Sequence, residues 1–229
     1  MIVLKHRKKE FVKQESGGNV SYICRMKTAL KLTLLLLAMI PLNVGSSASW
    51  FPDKLINPFQ IASFVKKQEG GLSNSIYDSA RRTTKHKYHT NKGVTYPVFL
   101  SAGYKDYTLF LEMPDSIWDS IWLYNWEISG ASKIKNQNLA NLMAWWTWGA
   151  GMRTVAKDTQ YLLNKYYDCG LEADGVLGEA TINALNMVEP CEFIDLVLKY
   201  RKWKLRKNCV NSIFFKGWIR GIEKYSMIR

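Results

Sequence analysis

Two short stretches carry the residue types best suited to chemistry: Glu69-Gly70-Gly71-Leu72-Ser73-Asn74 and Thr90-Asn91-Lys92-Gly93-Val94-Thr95. A glutamate at a helix end beside aromatic side chains can be partly desolvated. Desolvation raises a carboxyl pKa, and a protonated carboxyl is what donation to a glycosidic oxygen requires. Gly70 and Gly71 would let a sugar chain approach the backbone closely. Asn74 and Thr95 complete the substrate-facing candidates. Taken alone, a Glu before Gly-Gly also fits a solvated helix terminus, so the residues by themselves leave both readings open.

Other signals point to structure rather than to a metal or cofactor. His86 and His89 lie near Asp78 as ligands might, but no third ligand follows at fixed spacing, so a solvated basic loop is expected and no metal. Asp174-Gly175 supplies one carboxylate where a calcium loop needs several, and reads as a tight turn before a helix. The cluster Trp145-Trp146-Trp148 reads as core, with one of its rings facing the groove as the alternative, and most of the nine Trp and twelve Tyr also read as core. No cofactor is implied.

The elements that would position these residues are helical. Between Pro58 and Gln68 the apolar residues Phe59, Ile61, Ala62, Phe64 and Val65 recur at helical spacing, with Pro58 suited to a first helical position. Gly70-Gly71 then breaks the helix. Residues 72–97 show no helical period and predict a long loop or small β-ribbon. Helices are predicted within Pro97–Phe110, with Tyr104-Lys105-Asp106 as a turn, and over Ser116–Glu127. Asn136–Trp148 is apolar on nearly every face and predicts the buried central helix, ended by Gly149-Ala150-Gly151. Thr154–Tyr166, Glu179–Asn186 and Glu192–Arg206 come next, the last ending in a basic run that suits a helix C-terminus. The expected fold class is all-α with at most one small hairpin.

The chain has 229 residues and a formal charge of +13, room for one sizeable domain or a domain with an annex. A basic surface suits an anionic partner. No nucleic-acid motif appears and the Lys and Arg beyond residue 48 are scattered, so nucleic acid is not expected as a partner. Met26-Lys27-Thr28-Ala29-Leu30-Lys31, the apolar run Leu32–Ile40 and Ser46-Ser47-Ala48 together predict an export signal over 26–48, preceded by a structureless extension over 1–25. The apolar run is short for a membrane span, yet a retained anchor stays open beside a cleaved signal. The membrane is expected as a partner only through this segment. Beyond Cys24, three cysteines remain (Cys169, Cys191, Cys209), so at most one pair forms; buried thiols are the expectation and a disulfide is possible.

The Glu69 and Thr90 stretches gain meaning from segments farther along the chain. Ile134-Lys135-Asn136-Gln137-Asn138-Leu139-Ala140 leads into the central helix. Gln160-Tyr161-Leu162-Leu163-Asn164, Asp174-Gly175-Val176-Leu177-Gly178, Thr181–Asn186 and Gly217-Trp218-Ile219 come after it in order. Glu-Gly-Gly, Thr-Asn-Lys-Gly-Val-Thr and these segments together resemble glycoside hydrolase family 108, the N-acetylmuramidase family first described as secretion activators, with its C-terminal peptidoglycan-binding segment. The resemblance runs from Pro58 to Ile222. It implies a lysozyme-like helical fold, with a catalytic region over 49–152 and a helical peptidoglycan-binding region packed on it over 153–229. It implies cleavage of the β-1,4 bond between N-acetylmuramic acid and N-acetylglucosamine in peptidoglycan glycan strands, by an exported monomer. A phage endolysin and a cellular muramidase would share the pattern.

The family's catalytic Glu falls on Glu69 as general acid. Its loop Asp falls on Asp78 when counted forward from Glu69, and its loop Thr on Thr90 when counted back from Gly93-Val94-Thr95. The two counts disagree, so an insertion between them is expected. The family's Gly-Gly pair is missing, replaced by bulkier residues in Ser79–His89, and Thr83 rivals Thr90. That departure keeps a second function open: a catalytically weak or inactive peptidoglycan-binding or secretion-accessory protein.

Overall fold

Nine α-helices, two short 3-10 helices and one two-stranded hairpin make up the regular structure of residues 56–228, the residues described by the computed structural model. The architecture is all-α with a small hairpin, as the sequence predicts. The predicted extension at 1–25 and export signal at 26–48 lie outside the described residues. Among the described residues no helix is long and apolar enough to cross a membrane.

Helix α1 (Ala62–Gln68) starts later than its apolar pattern suggests. Residues 58–61 form a turn, because tertiary hydrogen bonds claim the backbone there. Trp122 Nε1 donates to the Pro58 carbonyl at 2.7 Å, and the Gln137 side chain bonds both the N–H and the C=O of Asn57. Pro58 is therefore not the first residue of the helix. Strands β1 (Thr90–Asn91) and β2 (Val94–Thr95) pair antiparallel around a two-residue turn, in register Thr90↔Thr95 and Asn91↔Val94. Helices α2 (Tyr96–Ser101) and α3 (Tyr107–Glu112) flank the expected turn at 104–106, where the Asp106 side chain caps α3 by accepting from Thr108 N.

Helix α4 (Asp115–Ile128) and the central helix α5 (Gln137–Ala150) carry the tryptophan core. Asn136 caps α5 by accepting from Leu139 N at 3.0 Å, and residues 139–147 are all buried. Gly151 ends α5 and starts α6 (Met152–Tyr167). Next come α7 (Glu179–Leu185) and α8 (Pro190–Asn208). A last helix, α9 (Phe215–Ser226), falls in the region expected to be helical, although no separate helix is predicted there from the sequence. Gly217 and Gly221 weaken its intrinsic propensity, and burial of Ile222 and Tyr225 against the core offsets that. One hydrophobic cluster runs from Ile61 in the turn before α1 to Tyr225 in α9. Trp118, Trp122, Trp126, Trp145 and Trp146 are buried in it, in keeping with the core reading of those rings.

Cys169, Cys191 and Cys209 are free thiols. The expectation of buried thiols is not met: Cys169 and Cys209 are partly exposed, and Cys191 is exposed at the start of α8. At Asp174-Gly175 the carboxylate accepts from Val176 N at 2.8 Å and from Gln160 Nε2 at 2.7 Å. These bonds make the tight turn expected from the sequence.

Candidate active site around Glu69

Glu69 sits at the end of α1, where its backbone turns extended while its N–H still bonds Val65 O. From there the chain runs back along β1. Ser73 N donates to Thr90 O at 2.8 Å and His89 N to Ser73 O at 3.1 Å. This antiparallel run brings the two motif stretches side by side, with Ser73 opposite Thr90 and Glu69 at the hairpin turn. Both turn residues have positive φ, +46° at Lys92 and +78° at Gly93, the geometry of the tight turns that match strand twist.

Gly93 is required twice over. Its φ disfavours any side chain, and a Cβ there would overlap the Glu69 carboxyl, lying 2.7 Å from Glu69 Cγ and 2.5 Å from Oε2. The turn is itself anchored. Trp118 Nε1 donates to the Lys92 carbonyl at 3.0 Å, and Lys92 Nζ donates to Met113 O at 2.8 Å. On the other side, Trp148 Nε1 donates to Glu69 Oε1 at 3.0 Å. The Trp148 ring leans on Trp118 and Trp122, with centroids 5.2 and 5.6 Å away. Glu69 is thus a half-buried carboxyl between a backbone turn and an indole. Burial holds its pKa above the ordinary glutamate value, and the weaker pull of the Trp148 bond acts the other way.

Asp78 and Thr90 meet directly. Thr90 Oγ1 donates to Asp78 Oδ2 at 3.2 Å, while Asp78 Oδ1 accepts from Ala80 N at 2.9 Å and caps a short 3-10 turn over Ser79–Thr83. Thr83 spends its hydroxyl inside that turn, donating to Ala80 O at 2.6 Å. Arg81, Arg82, Lys85 and Lys87 of the expected insertion are exposed. His89 corrects the solvated-loop reading: its side chain is 1% exposed. Nδ1 lies 3.1 Å from Thr90 Oγ1 and Nε2 lies 3.2 Å from the Ser75 carbonyl. The ring is thus held between its neighbour Thr90 and Ser75, fourteen residues earlier, which no local pattern signals. His86 is exposed but stacks on Tyr107 at 3.8 Å. Among the described residues no three His, Cys, Asp or Glu side chains converge as a metal site would need.

The remaining candidates are looser. Gly70 and Gly71 are exposed, and a Cβ on either would meet nothing within 4 Å. Asn74 is exposed, and Thr95 shares a hairpin face with Thr90, its pairing partner. Sequence reasoning leaves one ring of the Trp145-Trp146-Trp148 cluster free to face the groove but does not single out Trp148 as the partner of Glu69. It also missed Gly93 as the residue that seats the carboxyl, although Gly in a two-residue hairpin turn was a usable signal.

Neither a family profile nor a curated protein sequence matches the chain. Among solved structures, Brucella abortus SagA is similar, with a TM-score of 0.60 and 19% sequence identity, over 75% of this chain and 92% of that chain. Similarity at that identity is one of fold.

Proposed function

We propose that this protein is an exported peptidoglycan hydrolase of the N-acetylmuramidase type, in which Glu69 protonates the leaving glycosidic oxygen. One observation carries the reading: a single carboxyl is held half-buried between Gly93 and Trp148, in surroundings that favour its protonated form. A general acid needs that state near neutral pH. The Asp78–Thr90 pair is the second half of the machinery. Thr90 is three residues from Gly93, a distance the chain spans in at most about 10 Å, so both groups flank one hairpin. In this role Asp78 steadies the oxocarbenium-like transition state or orients water, with Thr90 holding that water. The exposed Leu72, Ile76 and Tyr77 offer apolar surface beside the hairpin to sugar rings and acetamido methyls of a glycan strand. The catalytic work belongs to 49–152 and wall binding to 153–229, in a monomer that needs no cofactor and binds no nucleic acid.

The test is Glu69→Gln against purified sacculi, with the digest read by mass spectrometry. Wild type releases fragments with reducing-end muramic acid. The variant loses about 10²–10⁴-fold in rate while still binding sacculi. Wild-type lysis by the variant removes Glu69 from the chemistry, and reducing-end glucosamine makes the enzyme a glucosaminidase.

A second reading has its own support. Both Asp78 oxygens are already engaged, one in capping the 3-10 turn and one by Thr90. An Asp kept as a loop brace suits a wall-binding or secretion-accessory protein with little hydrolysis. Binding to sacculi without any released fragment selects it.

A further inference from the structure

We propose that the tip formed by the end of α8, the connection at 209–214 and the start of α9 docks on an anionic phospholipid bilayer. The charge there is one-sided. From Lys199 to Arg229 the sequence holds ten Lys or Arg and one acid, Glu223. Two of the cations are committed inward. Arg201 packs over the Trp145 ring at 4.2 Å, and Lys204 bonds Asp158 at 2.6 Å. Arg206, Lys207, Lys216 and Arg220 instead stand exposed around the tip.

The same tip exposes apolar side chains that the core does not use. Val210 is 56%, Ile213 62% and Trp218 42% exposed. They belong to one structural unit. Ser212 N bonds Cys209 O, Phe215 N bonds Ser212 O, and Trp218 N bonds Phe214 O, so the connection is a chain of tight turns running into α9. The Phe214 and Trp218 rings pack at 5.9 Å. Apolar side chains at the tip with cations around them match the layered chemistry of a bilayer surface. Trp settles at the headgroup level, Ile and Val reach the acyl boundary, and Lys and Arg meet lipid phosphates. A glycan strand would engage the indole and the cations and meet Ile213 and Val210 only through sugar rings and acetamido methyls, whereas a bilayer offers both side chains an acyl layer. The bilayer is therefore the partner that uses the whole surface. The docking proposed does not depend on hydrolysis.

The experiment is hydrogen exchange and vesicle flotation on the full chain. It uses vesicles of phosphatidylcholine with phosphatidylglycerol, vesicles of phosphatidylcholine alone, and soluble muropeptides. The expected result is slowed exchange over 205–220 with the anionic vesicles only, relieved at high salt. Exchange localises the contact, so lipid binding by the apolar run at Leu32–Ile40 does not confuse it. The double variant I213S/W218A should bind anionic vesicles about tenfold more weakly, with an unchanged circular dichroism spectrum. The proposal falls if 205–220 shows no slowing, if neutral vesicles slow it equally, or if muropeptides slow it and vesicles do not.

Discussion

Replacing Gly93 by Ala probes the seat of the Glu69 carboxyl with a single methyl group. The geometry imposes two costs. At φ +78° an Ala pays about 1–2 kcal/mol for left-handed backbone. In a domain of this size that lowers Tm by about 2–8 °C. The new Cβ would also stand 2.7 Å from Glu69 Cγ, so the carboxyl must shift by about 1 Å to restore carbon–carbon contact. Displacement on that scale costs a positioned catalytic group about 100-fold in rate. Gly103→Ala separates the two costs, because Gly103 has φ +94° but would place its Cβ against nothing within 4 Å. Thermal melts and turbidity clearing of sacculi measure both variants. Both should lose comparable stability, and Gly93→Ala alone should lose activity. If Gly93→Ala clears sacculi within about twofold of wild type, far inside that 100-fold, the carboxyl does not act from the seat described. If Gly103→Ala is equally inactive, backbone strain rather than the Glu69 contact accounts for the loss.

Stability as a function of pH offers an independent reading of Glu69. Its folded pKa is raised above 4.5, so the folded state holds the proton more tightly, and wild-type stability falls as pH rises from 4.5 through that raised value. Glu69→Gln carries no such loss, so its Tm advantage should grow across that window; a constant or reversed gap refutes the burial argument. Trp148→Phe removes the bond that pulls the Glu69 pKa down, and the alkaline limb of the pH–rate profile should move to higher pH. A move to lower pH contradicts the assigned direction. Thr90→Val deletes a hydroxyl bonded to a carboxylate and should cost about 10–100-fold in hydrolysis. Thr83→Val, whose hydroxyl serves only its own turn, should leave the rate near wild type. Reversed effects would make Thr83 the site threonine.

Local sequence determined a good part of this protein. The apolar faces of Leu139–Trp148 and the Asn136 cap specify the central helix. Gly70-Gly71 ends α1, and Lys92-Gly93 between short β segments makes the hairpin. In each case the controlling forces act within a few residues: backbone φ preference, capping and periodic burial. Tertiary structure decided the rest. Trp122 takes the Pro58 carbonyl from a distance of 64 residues in sequence and delays the start of α1. Trp148 reaches Glu69 across 79 residues and joins the hairpin turn in setting its environment. Of two candidate threonines, only Thr90 bonds Asp78, because the antiparallel run of Ser73 against β1 aims its hydroxyl at that carboxylate while Thr83 closes on its own turn. His89 reads as a loop cation and is buried, and α9 contains two glycines yet forms. Solvent exclusion and long-range hydrogen bonds decide such features, and both arise only when segments distant in the chain pack together.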